Sequence, residues 1–181
     1  MVHSSSTLWV FSCSVYSKQV VSSACLQLQD QYGIDIPLLL FCCWSGGRYE
    51  ELSSALLEHA VSFSKGWSAN STRPLRAIRR DMKTSFSAQW PVSELDWSAL
   101  REQVKALELK SEELMLNGLA ALLSDMPVKN GGVATSIKNI KHCFQLSVNT
   151  PLIELLLPLL VAVFEESTES VQLLLKSELV Q

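Results

Sequence analysis

Apolar residues along this chain recur three and four positions apart, and nowhere do they alternate over the length of a strand. The pattern predicts an all-α, single-domain helical bundle of seven to nine helices. A first helix falls within residues 7–16 and a second over 18–32. The third is read over "DIPLLLFCCWSGG", with an apolar run from Ile36 to Trp44. Gly33 suits the left-handed end of the helix before it, Asp35 is placed as its N-cap, and Pro37 falls in a first turn, where a missing N–H costs nothing. This third segment is apolar on every side, so it is expected to be the central element, surrounded by the others. At nine residues, closed by Ser45-Gly46-Gly47-Arg48, its apolar run is too short to cross a bilayer.

A fourth helix is expected over 49–64, with Leu52, Leu56, Ala60 and Phe63 as its buried face. A fifth lies near 72–86, with Pro74 in its first turn or at a kink. The sixth and longest, over 96–123, carries Leu100, Val104, Leu107, Ser111, Leu114, Gly118 and Ala121 at 4-3 spacing, a seam suited to a neighbouring helix. Leu109, Leu116 and Leu123 form a second row. The stretch "MPVKNGG" at 126–132 reads as a linker. Two helices follow, over 134–148 and 150–164, the latter bent or broken at Pro158. The expected organisation is a disordered start at 1–6, a helical domain over 7–165, and a peripheral helix or tail over 166–181.

Composition sharpens this picture. The chain has 181 residues, 48% of them hydrophobic and 18% charged, which suffices for a core without covalent staples. A net charge of -3 gives no global attraction to nucleic acid. Five cysteines form no C-x-x-C pair, so neither a disulfide framework nor a zinc ribbon is indicated. They read as reduced, mostly buried thiols of a cytoplasmic protein, with the adjacent Cys42 and Cys43 as small core fillers. The amino terminus has no cationic segment ahead of its apolar residues, and no secretory signal is read there.

The distinctive chemical feature is "TRPLRAIRRDMKTSF". At 100° per residue, Arg73, Arg76, Arg79, Arg80 and Lys83 share an arc of roughly 120°, with Leu75, Ile78, Met82 and Phe86 on the opposite, buried arc. Such a face either binds phosphate, nucleic acid or an acidic protein surface, or is solvated or paired with Glu108, Glu112 and Glu113 of the sixth helix. The five tryptophans read as core residues or inter-helix wedges, with a cleft framed by Trp67 and Trp90 beside this helix as the alternative. No catalytic residue, metal ligand set or cofactor motif is identified. His3, His59 and His142 each lack a glutamate three residues earlier, His142 and Cys143 diverge as helical neighbours, and no phosphate loop, G-x-S-x-G elbow or H-E-x-x-H pair occurs.

Three blocks, "LWVFSCSVYSKQVVSSACLQLQDQYGIDIPLLLFCCWSG", "RPLRAIRRDMK" and "LREQVKALELKSEEL", in this order and spacing, resemble a conserved family of small all-helical bacterial proteins of unknown function. The resemblance spans residues 7–165. It implies a cytoplasmic all-α bacterial protein and no particular reaction. The leading expectation is a non-enzymatic binding or adaptor protein that engages a macromolecular partner through the arginine face or the exposed part of the heptad seam. Its rival is an enzyme or carrier holding an anionic, phosphorylated small molecule at Arg73, Arg76 and Arg80. Nucleic-acid binding ranks third, and a homodimer is open to the chain. A deep pocket at the arginines would favour the small molecule; a flat apolar surface would favour the partner.

Overall fold

A computed structural model of the chain describes residues 7–145 and 150–179. The start at 1–6 and the expected run of a helix as far as 148 lie partly or wholly outside them. The fold is an all-α bundle, with no strand among the described residues: α1 (Leu8–Tyr16), α2 (Gln19–Tyr32), α3 (Ile36–Arg48), α4 (Ser54–Trp67), α5 (Arg73–Asp81), α6 (Glu94–Ala121), α7 (Val133–Phe144), α8 (Thr150–Phe164) and α9 (Thr168–Leu179). A single π-helical turn, Ser68–Thr72, joins α4 to α5 without a break.

Helix α3 is the axis. Gly33 ends α2 in the left-handed conformation (φ 65°), and Asp35 accepts the Leu38 N–H at 3.2 Å as the α3 cap, with Pro37 in the first turn. Every residue from Ile36 to Gly46 is buried. Helices α1, α4, α6, α7 and α8 surround it.

The third helix outlasts the apolar run and continues, as read from the sequence, through both glycines, ending at Arg48. Gly46 is where α7 comes closest, since a Cβ there would lie 2.5 Å from the Ser136 N and Cα. The contact is also polar: Ser136 Oγ donates to the Cys43 carbonyl at 3.1 Å and Asn139 Nδ2 to Ser45 Oγ at 3.3 Å. The connection between α6 and α7 is stitched on by Lys129 N to Arg48 O and Gly132 N to Gly46 O, both 2.8 Å. Here glycine marks close packing rather than a helix end.

Ser53, accepting the Leu56 N–H, starts α4 later than expected, so Leu57, Ala60 and Ser64 face the core while Leu56 and Phe63 are half-buried. Helix α6 buries Glu108, Ser111, Met115, Leu116 and Leu119. Of the expected seam, Ser111 is buried and Gly118 abuts Phe63, but Leu100, Leu107 and Leu114 stay 46–57% exposed. Leu116 and Leu123 of the second row are buried and Leu109 is exposed. Helix α8 passes through Pro158 as one element. Helix α9 packs on α7 and α8 with Val171, Leu175 and Leu179 buried.

Cys25, Cys42, Cys43 and Cys143 are buried and Cys13 is exposed; all five are free thiols. Burial pushes the Cys25 thiol up to about 12 and those of Cys42 and Cys43 well above the ordinary thiol range. The adjacent pair thus behaves as inert filler.

Gly46→Ala should therefore destabilise the protein by about 3 kcal/mol, because overpacking meets backbone that cannot move aside. Gly66→Ala, in the last turn of α4 where the π turn continues the helix and with nothing within 4 Å of its Cβ, should stabilise it by about 0.5–1 kcal/mol. Urea denaturation of the two variants checks both signs.

Candidate functional site

The site begins with Pro74. Proline lacks the N–H that would bond the carbonyl four residues back and its ring crowds that carbonyl, so the helix relaxes into the π turn just before it. The polar groups of this turn are taken up by neighbours. Trp67 Nε1 donates to the Ser111 carbonyl at 3.0 Å and to Ser111 Oγ at 3.1 Å, and the Ser71 and Thr72 hydroxyls each lie 2.8 Å from that same Oγ. Ser68 Oγ donates to Asp35 Oδ2, tying the turn to the α3 cap. Helix α5 is thereby fixed in rotation against α6.

That rotation turns two of the arginines inward. Arg76 Nε donates to Glu108 Oε1 at 2.9 Å, Nη1 to Gln29 Oε1 at 2.8 Å and Nη2 to Glu112 Oε1 at 2.7 Å. Arg79 Nε donates to Glu108 Oε2, and its Nη2 reaches Glu108 Oε1 at 3.3 Å. Arg80, on the rim, pairs with Asp30 at 3.2 Å. Arg73 and Lys83 are exposed. The apolar arc is not the buried one: Ile78 is 50% exposed, Leu75 and Phe86 are half-buried, and only Met82 is buried. Carboxylates on α6 hold the arginine face harder than the short apolar arc can hold its own.

Between α1, α2, α3, α5 and α6 lies a cleft of about 450 Å³. Ile36, Pro37, Leu40 and Leu116 form its apolar floor, with Trp9 and Leu26 beside them; Arg76, Arg79, Arg80, Glu108 and Glu112 line the polar side. On α1, Ser12, Cys13 and Tyr16 complete the lining. Ser12 is 3% exposed and its hydroxyl has no hydrogen-bond partner. The structure thus gathers Arg76, Arg79 and Arg80 at one cavity and leaves Lys83 and Trp67 outside it. Arg73 lines a neighbouring hollow with Arg76, Arg80, Asp30 and Asp35. Trp90 stacks with Phe86 and Trp97, away from the cleft, and the tryptophan that does line the cleft is Trp9. Trp9, Ser12 and Tyr16 recur at helical spacing in the first segment, a signal that was present, but nothing in the sequence pairs that face with α5. No cluster of three metal-ligating side chains occurs among the described residues.

The two carboxylates are driven apart. Burial disfavours the charged form of Glu108, but hydrogen bonds from Arg79 and Arg76 outweigh it and hold its pKa below the ordinary value. In Glu112 burial prevails over the pull of Arg76 and raises the pKa. The contributions to stability have opposite signs. Glu108 adds stability above its unfolded pKa that is lost as pH falls through its lowered folded value. The charged form of Glu112 costs stability, and that cost is relieved as pH falls through its raised folded value.

Glu112→Gln should therefore leave stability at neutral pH unchanged or higher and remove the gain on mild acidification. Glu108→Gln should cost about 2 kcal/mol at neutral pH, discounted from a fully buried pair because Arg76 and Arg79 keep 21% and 24% of their side-chain surface. It should also flatten the acid limb. Melting temperature against pH for the three proteins checks this.

No curated protein and no solved structure matches the chain. A family model described as "Protein of unknown function (DUF2390)" matches residues 7–119, which falls short of the 7–165 expected from the sequence but takes in α1 to α5, nearly all of α6 and every residue lining the cleft. By that match over more than half of its length, the chain, itself all-α, belongs to this family of proteins of unknown function.

Proposed function

We propose that the protein binds a small, largely apolar molecule carrying a polar head, held in the cleft between α1, α2, α3, α5 and α6. The observation that carries this reading is the cleft itself: an apolar floor beside a charged wall, with a buried hydroxyl, Ser12, that the protein leaves unpaired. A volume of about 450 Å³ falls in the range of ligand sites, and a native protein seldom buries an unpaired polar atom without a use for it. The arginines do not form the free cationic face that a macromolecular partner would need, because Arg76 and Arg79 are spent on Glu108 and Glu112. The binding role is non-enzymatic in this reading, and the free thiols suit the reducing cytoplasm.

A second reading, an adaptor that engages a protein partner, rests on a separate feature. From Glu94 to Leu107, α6 buries no residue, and Leu95, Leu100 and Leu107 lie exposed along it.

Cys13 lines the cleft and is exposed, so it reports occupancy. Decyl amphiphiles below their micelle concentrations, whatever their head group, should bind one per chain, slow alkylation of Cys13 and raise the melting temperature. Each methylene added to the tail should tighten binding about fourfold. Leu26→Trp, which fills the open side of the cleft, should abolish these effects. Unchanged Cys13 alkylation with every decyl compound would overturn the cleft reading, and loss of a captured protein partner on Leu100→Glu/Leu107→Glu would support the adaptor instead.

A further inference from the structure

The lining of the cleft narrows the class of ligand. Arg76, Arg79 and Arg80 meet Glu108, Glu112 and, on the rim, Asp30, so the charges of the wall balance in the empty protein. An anion that enters has to displace a carboxylate, and a single negative charge displaces one. A dianionic phosphate would have to strip arginines from both glutamates to be satisfied. A cationic head would meet the guanidinium groups first. Arg76 already shows how it takes a carboxylate, through Nε to Glu108 and Nη2 to Glu112, and two of its five N–H groups remain beyond its three hydrogen bonds.

The opposite wall supplies the complementary group. Ser12 and Tyr16 stand one turn apart on α1, both lining the cleft. Tyr16 is close enough to Glu112 and Arg76 for both charges to act on its hydroxyl. Ser12 lines the cleft, and its hydroxyl, out of reach of solvent and with no partner inside the protein, meets a ligand there by rotation about χ1. Glu112 holds Arg76 by one oxygen at 2.7 Å and is the carboxylate for which charge is least favourable, so it is the one that an incoming carboxylate displaces.

We infer that the ligand is an amphipathic monocarboxylic acid, its carboxylate taken by Arg76 and the Ser12 hydroxyl in competition with Glu112, and its hydrocarbon body laid along Ile36, Leu40 and Leu116. This rests on the cleft being a ligand site at all. Displacement of Glu112 leaves that side chain in an apolar cleft, where it takes up a proton, so one proton is bound with each carboxylate at neutral pH.

The test compares decanoate, decanol, decyl phosphate and decyltrimethylammonium by titration calorimetry at pH 7 in two buffers of different ionisation enthalpy. Decanoate should bind about tenfold tighter than decanol, since a charge-assisted hydrogen bond outweighs a neutral one, and should draw a proton from the buffer. Ser12→Ala should weaken decanoate about fivefold while raising the melting temperature of the empty protein, because the orphaned hydroxyl is gone. Glu112→Gln should tighten decanoate and leave decanol unchanged. Opposite effects of these two variants are not what general damage to the fold produces. Decanol equal to decanoate, or decyl phosphate or the ammonium compound ahead of it, would overturn the carboxylate assignment while leaving the cleft reading intact. Failure of all four to bind would overturn both.

Discussion

Helix α3 has no face that water can wet, and the rest of the molecule is arranged to meet that constraint. Eleven consecutive buried residues, Ile36 to Gly46, oblige other helices to close around them on all sides. Its two ends then set positions elsewhere. At the carboxyl end Gly46 admits α7 to backbone contact, and through it the connection at 129–132. At the amino end Asp35 does two jobs with two oxygens, capping α3 with Oδ1 and holding Ser68 of the π turn with Oδ2. The turn that orients the arginine helix is thus anchored to the start of the core helix.

From this anchor the geometry of the polar side follows. Ser111, buried on α6, gathers the Trp67 indole and the Ser71 and Thr72 hydroxyls, which fixes the height of α5 along α6. Glu108 lies three residues before Ser111 and Glu112 directly after it, so α5 meets them with Arg76 and Arg79. A partly buried ionic cluster of this kind adds little net stability, since desolvation consumes most of the Coulomb attraction. Its effect is to select one rotation of α5, the one that exposes Ile78 and turns the guanidinium groups over the cleft.

Much of the fold was legible in the residues themselves. The cap and left-handed glycine around α3, its apolar surround, the pairing of the arginine helix with the long helix and the run of helices all follow from local chemistry that tertiary contacts leave alone. The readings that failed did so where a neighbour decides. That a side chain is excluded at Gly46 shows only once α7 is known to lie against it. The 4-3 leucine seam of α6 looks like a packing face, whereas the buried stripe runs through Glu108 and Ser111, polar residues that a hydrophobic pattern discards. Of the arginine arc, Arg76, Arg79 and Arg80 come together at the cleft and Arg73 and Lys83 do not, and which arc faces inward depends on acids about thirty residues away. The cleft was not legible at all, because α1 supplies one wall and α5 another, and no spacing along the chain joins Ser12 to Arg76.

What sets the cleft apart from the rest of the molecule is that two of its groups oppose the empty fold. An unpaired buried hydroxyl and a carboxyl whose charge is disfavoured by burial each cost stability, and both border the same cavity. Elsewhere the chain satisfies comparable groups at close range: Ser136, Asn139, Ser45 and Thr72 are all buried and all bonded. Among the described residues the Trp44 indole N–H is also buried without a partner, but it stands alone, whereas beside Arg76 two such costs meet at one cavity. Hydrophobic packing gives no reason for a serine at position 12, where alanine would fill the same space without the penalty. In the proposed complex, a ligand that brings an acceptor to Ser12 and lets Glu112 go neutral would remove both costs at once, which makes the unpaired hydroxyl and the disfavoured charge a source of binding energy rather than a defect of packing.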